Sequence, residues 1–114
     1  VVTFRDLDDV DTMLAAAARG GRAVVIGGGL LGLEAAAGLA ARGMQVTVLH
    51  LAASLMERQL DAAAGYLLAE ALRGRGIEVV TEAETRALLG DMQVTGVELR
   101  DGRRYAADLV VVAI

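Results

Sequence analysis

The chain has 114 residues, the size of one domain, and 55% of them are hydrophobic, so we expect a folded core and not intrinsic disorder. The formal net charge of −4 argues against a nucleic-acid-binding protein held by phosphate contacts. Cysteine is absent, histidine occurs once, and no apolar run approaches the roughly 20 residues of a membrane span, so no disulfide, no metal site and no membrane contact is expected.

A lead-in helix is predicted within residues 1–21, because apolar residues recur there at helical spacing. These residues are Val10, Met13, Leu14 and Ala17. Gly20 and Gly21 end the pattern. The start of the chain has neither the basic region nor the long apolar run of a signal peptide, so we expect a cytoplasmic location.

Residues 22–81 follow the order strand, helix, strand, helix, strand. Short apolar or β-branched runs predict the three strands at 23–26, 45–50 and 77–80. The first helix is predicted over residues 30–42, with Gly43 as its end. The second helix begins with Asp61 as its cap and ends at Gly74 and Gly76.

The remaining residues predict short antiparallel strands instead of alternating strands and helices. Short runs over residues 82–107 indicate an antiparallel meander, and Asp101-Gly102 between two of these runs is a strong hairpin signal. The apolar run near the end predicts a final strand within residues 108–114. We therefore expect one domain over residues 1–114, of the α/β class, with three layers and a parallel sheet that includes an antiparallel β-meander crossover.

A glycine pattern of the form G-x-G-x-x-G lies between the first predicted strand and the following helix, at Gly27, Gly29 and Gly32. In such a loop the first glycine permits a tight turn, the second lets a pyrophosphate approach the backbone, and the third lets helix and strand pack closely. Phosphate would then bind the free N–H groups at the helix N-terminus. The context favours a Rossmann-like nucleotide site over a simple packing role for the glycines.

His50 ends the second predicted strand, where an NAD-preferring site carries a ribose-binding acid. A neutral imidazole can hydrogen-bond a ribose hydroxyl, whereas a protonated one can pair with a 2′-phosphate. Arg58, in the next loop, could strengthen phosphate binding or simply lie on the surface. Glu34 either complements the helix N-terminus or lies at the nicotinamide end of a cleft. The choice between NADH and NADPH therefore stays open.

Residues 24–36, which read Val-Val-Ile-Gly-Gly-Gly-Leu-Leu-Gly-Leu-Glu-Ala-Ala, resemble the NAD(P)H-binding domain of the pyridine nucleotide–disulfide oxidoreductase-like flavoproteins. The meander with Asp101-Gly102 and the closing run at residues 107–114 are similar to that family as well. Residues 4–10 and 55–61 are most similar to its nitrite reductase branch.

The resemblance implies a domain that binds NAD(P)H and presents the nicotinamide to FAD, which is held by an FAD-binding domain of the same parent chain. In a nitrite reductase, the parent would reduce nitrite to ammonium with a siroheme and an iron–sulfur cluster. The domain would hold no catalytic residue and would not be active alone.

The same resemblance implies the position of each cofactor-binding residue. The pyrophosphate would lie against Gly27, Gly28, Gly29, Leu30, Leu31 and Gly32. His50 would face the adenosine ribose, Glu34 the nicotinamide carboxamide and Thr85 the adenine, while Ala113 and Ile114 would flank the nicotinamide.

Three other functions are compatible with a glycine loop between a strand and a helix. The chain could be the NAD(P)H-binding domain of a rubredoxin or ferredoxin reductase, which shares most of these features. A non-enzymatic regulatory nucleotide-binding domain is disfavoured, because such domains continue as alternating strands and helices and not as a meander. An adenosylmethionine-dependent transferase is disfavoured by His50, since its second strand usually ends in an acid.

Overall fold

The computed structural model describes residues 2–3, 13, 15, 17–18, 20–56 and 60–113. Arg58, Ile114 and most of the predicted lead-in helix lie outside the described residues. Residues 13, 15 and 17 are helical, and the side chains of Met13 and Ala17 are buried in the core.

Within the described residues the chain forms eight strands and two helices with defined bounds. The strands are β1 (Val2–Thr3), β2 (Arg22–Ile26), β3 (Gln45–Leu49), β4 (Glu78–Val80), β5 (Thr85–Gly90), β6 (Val94–Leu99), β7 (Arg104–Ala106) and β8 (Leu109–Val112). The helices are α1 (Leu30–Ala41) and α2 (Ala62–Gly74). Among these residues no helix combines the length and the apolar character that a membrane crossing needs.

Five of the strands form a parallel sheet in the order β1-β8-β2-β3-β4. At its centre Val25 pairs with Val48 on one side and with Val111 on the other. All three side chains are fully buried, because parallel strands are covered on both faces. The predicted α/β class with a parallel sheet is thus confirmed.

The two faces of the parallel sheet are covered by different layers. Helices α1 and α2 pack on one face, around a core that includes Leu39, Val48 and Leu72. The antiparallel sheet β5-β6-β7 covers the other face, where Val97 and Leu99 join the same cluster as Val24, Leu49 and Val110. The layers are therefore helices, parallel sheet and meander.

Helix ends lie where local chemistry favours them. The Asp61 carboxylate accepts a hydrogen bond of 2.8 Å from the Ala64 N–H and so caps α2. After α1, Gly43 adopts a φ of +91° and its N–H donates to the Ala40 carbonyl. One element was not expected: β1 pairs with β8 through Val2 and Val111, although the sequence predicted no strand before residue 22.

Candidate functional site

A cleft of about 540 Å³ opens at the carboxyl ends of β2, β3 and β8. Its walls come from the glycine loop, the segment after β3, the β4–β5 connection and the residue after β8. The lining residues are Ile26, Gly27, Gly28, Gly29, Leu30, Leu49, His50, Leu51, Met56, Ala83, Glu84, Thr85 and Ala113. Ligands of open α/β sheets bind in the crevice at this end of the strands.

Two further clefts, of about 340 and 540 Å³, lie near the opposite ends of the strands and share Arg22 and Gln45. Neither of them includes the glycine loop or the N-terminus of α1. We therefore regard the cleft at the glycine loop as the candidate site.

The three spaced glycines of the loop have different surroundings. Gly27 has a φ of +124° as the chain leaves β2, a conformation that favours glycine. A Cβ atom at Gly32 would collide with the Gly27 carbonyl oxygen, so the third glycine is needed for helix and loop to pack. Among the described residues other than its chain neighbours, none has an atom within 4 Å of a Cβ placed at Gly29. Internal packing therefore does not explain the glycine at position 29.

The N-terminus of α1 has no capping side chain. Gly29 is its cap residue and provides no side-chain hydrogen bond, and the first turn contains no acidic residue. The first backbone bond runs from the Leu33 N–H to the Gly29 carbonyl. For the N–H groups of residues 29–32, the described part of the chain provides no acceptor. This set of donors at the positive end of a helix suits an anion.

The other two N–H groups of the loop are engaged within the protein. Gly27 donates to the Leu49 carbonyl at 2.9 Å. Gly28 donates to Nδ1 of His50 at 2.8 Å, in a buried hydrogen bond. The Gly28 carbonyl accepts from the Met56 N–H at 3.0 Å. Gly28 thus lines the cleft while its own polar groups hold the loop in place.

His50 follows β3 directly and is only 8% exposed. Its ring packs on Gly28, where a Cβ atom would lie 2.6 Å from the His50 Cγ and 2.7 Å from the Leu55 Cδ2. The close packing explains why Gly28 carries no side chain. No sequence motif indicated this contact, since it depends on how the loop and the strand end meet.

Thr85 and Ala113 also line the cleft. The hydroxyl oxygen of Thr85 is buried without a hydrogen-bond partner among the described residues. Glu84 lines the cleft beside it and pairs with Arg100 at 2.7 Å. No motif in the sequence indicates Glu84 or Met56 as lining residues.

Three of the residues singled out from the sequence do not line the cleft. Leu31 and Glu34 are exposed on α1, and Gly32 is buried beneath the loop. Arg58 and Ile114 lie outside the described residues. The structure therefore brings together Gly27 to Leu30, His50, Thr85 and Ala113.

Comparison with known proteins adds independent information. A profile of the family described as pyridine nucleotide-disulphide oxidoreductase matches residues 1–114. The chain is 54% identical over 114 residues to the NAD(P)H nitrite reductase of Bacillus subtilis, covering 100% of this chain and 14% of that relative. It is 41% identical to the nitrite reductase large subunit of Klebsiella oxytoca, covering 95% of this chain and 11% of the relative.

The fold is also similar to solved structures. A ferredoxin reductase from Rhodopseudomonas palustris superposes with a TM-score of 0.95 at 32% identity, over 100% of this chain and 28% of that chain. The chain therefore spans only a small part of the proteins that it matches.

Proposed function

Because the chain belongs to the pyridine nucleotide-disulphide oxidoreductase family, we propose that its cleft binds NAD(P)H, with the pyrophosphate at the N-terminus of α1. The observation that carries this proposal is the open space at Gly29, next to the N–H groups of residues 29–32, for which the described residues provide no acceptor. A pyrophosphate supplies acceptor oxygens and negative charge, both of which an uncapped helix N-terminus favours.

The rest of the cleft fits a long, partly apolar ligand. On one side, Thr85 offers a buried hydroxyl that lacks a partner among the described residues, and we assign this side to the adenosine. On the other side, Ala113 follows β8, and we assign this side to the nicotinamide. When bound, the dinucleotide supplies a hydride, and the role of the chain is to bind and orient it.

We further propose that residues 1–114 are one domain of a larger FAD-containing reductase, and that an FAD-binding domain of the same chain receives the hydride. The 54% identity to a nitrite reductase favours a parent that reduces nitrite to ammonium, with a siroheme and an iron–sulfur cluster in other domains. The TM-score of 0.95 to a ferredoxin reductase supports ferredoxin reduction as the second candidate activity of the parent.

The proposal is tested by calorimetric titration of the wild type and Gly29→Val with NADH and NADPH. The backbone of Gly29 is extended, with a φ of −83°, so valine fits the fold but occupies the space assigned to the pyrophosphate. We expect the Kd to rise about tenfold or more, since hydrogen bonds to charged groups contribute about 1.5–3 kcal/mol.

The matched control is Gly38→Val, because a Cβ atom at Gly38 also has no described neighbour within 4 Å outside the backbone of its own helix, and the residue lies in α1 away from the loop. Its Kd should equal that of the wild type. A folded Gly29→Val variant with wild-type affinity for both dinucleotides would contradict the proposed site.

A further inference from the structure

We propose that His50 is a positioning residue, whose uncharged imidazole holds the glycine loop in its binding conformation and does not recognise the 2′-phosphate of NADPH. The inference rests on the proposed function, since it concerns the same cleft. It assigns His50 a task that differs from ribose or phosphate recognition, the two roles that its place after β3 suggests.

The hydrogen bond between Gly28 and His50 has a fixed direction. The donor is a backbone N–H, whose hydrogen has a fixed position, and the acceptor is Nδ1 at 2.8 Å. A ring nitrogen accepts only when it carries no proton. The remaining ring proton is therefore on Nε2, and the imidazole is uncharged in this conformation.

This hydrogen bond holds Gly28 in place within the glycine loop. Gly28 is fixed from two directions, by His50 at its N–H and by the Met56 N–H at its carbonyl. The next peptide group carries the Gly29 N–H, the first of the donors that face the proposed pyrophosphate. Loss of the His50 acceptor would leave a buried N–H unsatisfied and would release this side of the loop.

A positive charge on the His50 ring is incompatible with this hydrogen bond. An imidazolium has a proton on each nitrogen, so the Nδ1–H would point at the Gly28 N–H and the two donors would repel each other. If His50 paired with a 2′-phosphate as a cation, the glycine loop would therefore lose its hydrogen bond to the imidazole. Glu84 is the other ionisable side chain among the described lining residues, and it adds a carboxylate, not a cation.

The test uses two substitutions of nearly identical shape, His50→Asn and His50→Leu. Asparagine places Oδ1 near the position of Nδ1 and can accept from the Gly28 N–H, whereas leucine fills the same space without an acceptor. We expect His50→Asn to bind NADH and NADPH within about threefold of the wild type. We expect His50→Leu to weaken both by about tenfold and by the same factor, as an unsatisfied buried donor does.

The ratio of the NADH and NADPH affinities distinguishes a loop-positioning role of His50 from recognition of the 2′-phosphate. If both variants lose NADPH binding and retain NADH binding, His50 recognises the 2′-phosphate and the inference is wrong. It is also wrong if His50→Leu binds both dinucleotides as well as His50→Asn does. If the wild type binds neither dinucleotide, the proposed function fails instead.

A second measurement does not depend on a ligand, and its first part uses the wild type alone. Nitrogen-15 NMR of the wild-type imidazole should show the proton on Nε2, with a hydrogen-bonded Gly28 amide that shifts when His50 is replaced by leucine but much less when it is replaced by asparagine. A proton on Nδ1 would overturn the inference.

Discussion

Gly32 and Gly38 both lie in α1, but the fold needs glycine at only one of them. Gly32 faces the loop, so that an added Cβ atom would overlap the Gly27 carbonyl oxygen. At Gly38 a Cβ atom would meet no described residue outside its own helix within 4 Å. The obstacle at Gly32 is backbone, which cannot move aside as a flexible side chain can. Alanine substitutions at the two glycines therefore measure how much a Cβ atom at the close contact lowers the free energy of unfolding.

We expect Gly32→Ala to lower the free energy of unfolding by about 1–3 kcal/mol, because an extra group must displace backbone in a packed region. In contrast, Gly38→Ala should raise it by about 0.5–1 kcal/mol, since alanine is the better helix former. Urea denaturation of both variants measures the difference. Equal effects at the two positions would contradict the contact between Gly32 and Gly27.

The sequence predicts the roles of the spaced glycines better than that of His50. The spacing of Gly27 and Gly32 encodes a turn and a close contact, and the structure has both. The bond between Gly28 and His50 could not be predicted, because it joins residues 22 positions apart through a loop path that no local pattern specifies.

The hairpin between β6 and β7 is stabilised at its turn by one acidic side chain. Asp101 accepts from the Arg103 N–H at 3.0 Å and from the Arg103 Nε at 2.7 Å. These contacts lower the pKa of the Asp101 carboxyl below its ordinary value; the hydrogen bond from the backbone N–H of Arg103 is the largest cause, and the Arg103 guanidinium lowers the pKa further. Gly102, with a φ of +95°, completes the turn.

The lowered pKa of Asp101 has a definite consequence for pH. Its contribution to hairpin stability is present above the ordinary aspartate pKa of about 3.9 and is lost as the pH falls through the lower pKa of the folded hairpin. A carboxyl-detected NMR titration should therefore find the Asp101 midpoint below the ordinary aspartate value. In Arg103→Gln, which keeps the backbone N–H, the midpoint should move only part of the way back.

The outcome that would contradict this account is an ordinary midpoint for Asp101 in the wild type, or no change in Arg103→Gln.

The hairpin itself is predictable from its Asp-Gly dipeptide. Strand β1 is not predictable, because its two residues show no periodicity and only the presence of β8 beside them makes them a strand.

Across the whole molecule, two apolar clusters hold three layers together. The cluster between the parallel sheet and the meander is the smaller one, and Val97 and Leu99 of β6 are central to it. Leu99 is 1% exposed, whereas Leu88 on the neighbouring strand β5 is 43% exposed. The meander therefore depends on few side chains for its attachment.

We expect Leu99→Ala to lower the free energy of unfolding by about 2–5 kcal/mol, because it leaves a cavity between the two sheets. Leu88→Ala, in the same antiparallel sheet, should change it by less than about 0.5 kcal/mol. Chemical denaturation compares the two. Similar losses from both variants would mean that the meander is not anchored through Leu99.

The position of β8 in the sheet also affects how the protein is made. Residues 109–112 lie between β1 and β2, although a ribosome synthesises them some 80 residues after β2. Until they emerge, β2 lacks its neighbour on one side. A nascent chain can pair β2 with β3, yet the sheet closes only once β8 inserts between strands that are already present. Such long-range pairing is slow, which exposes the unfinished edge of β2 to aggregation during translation.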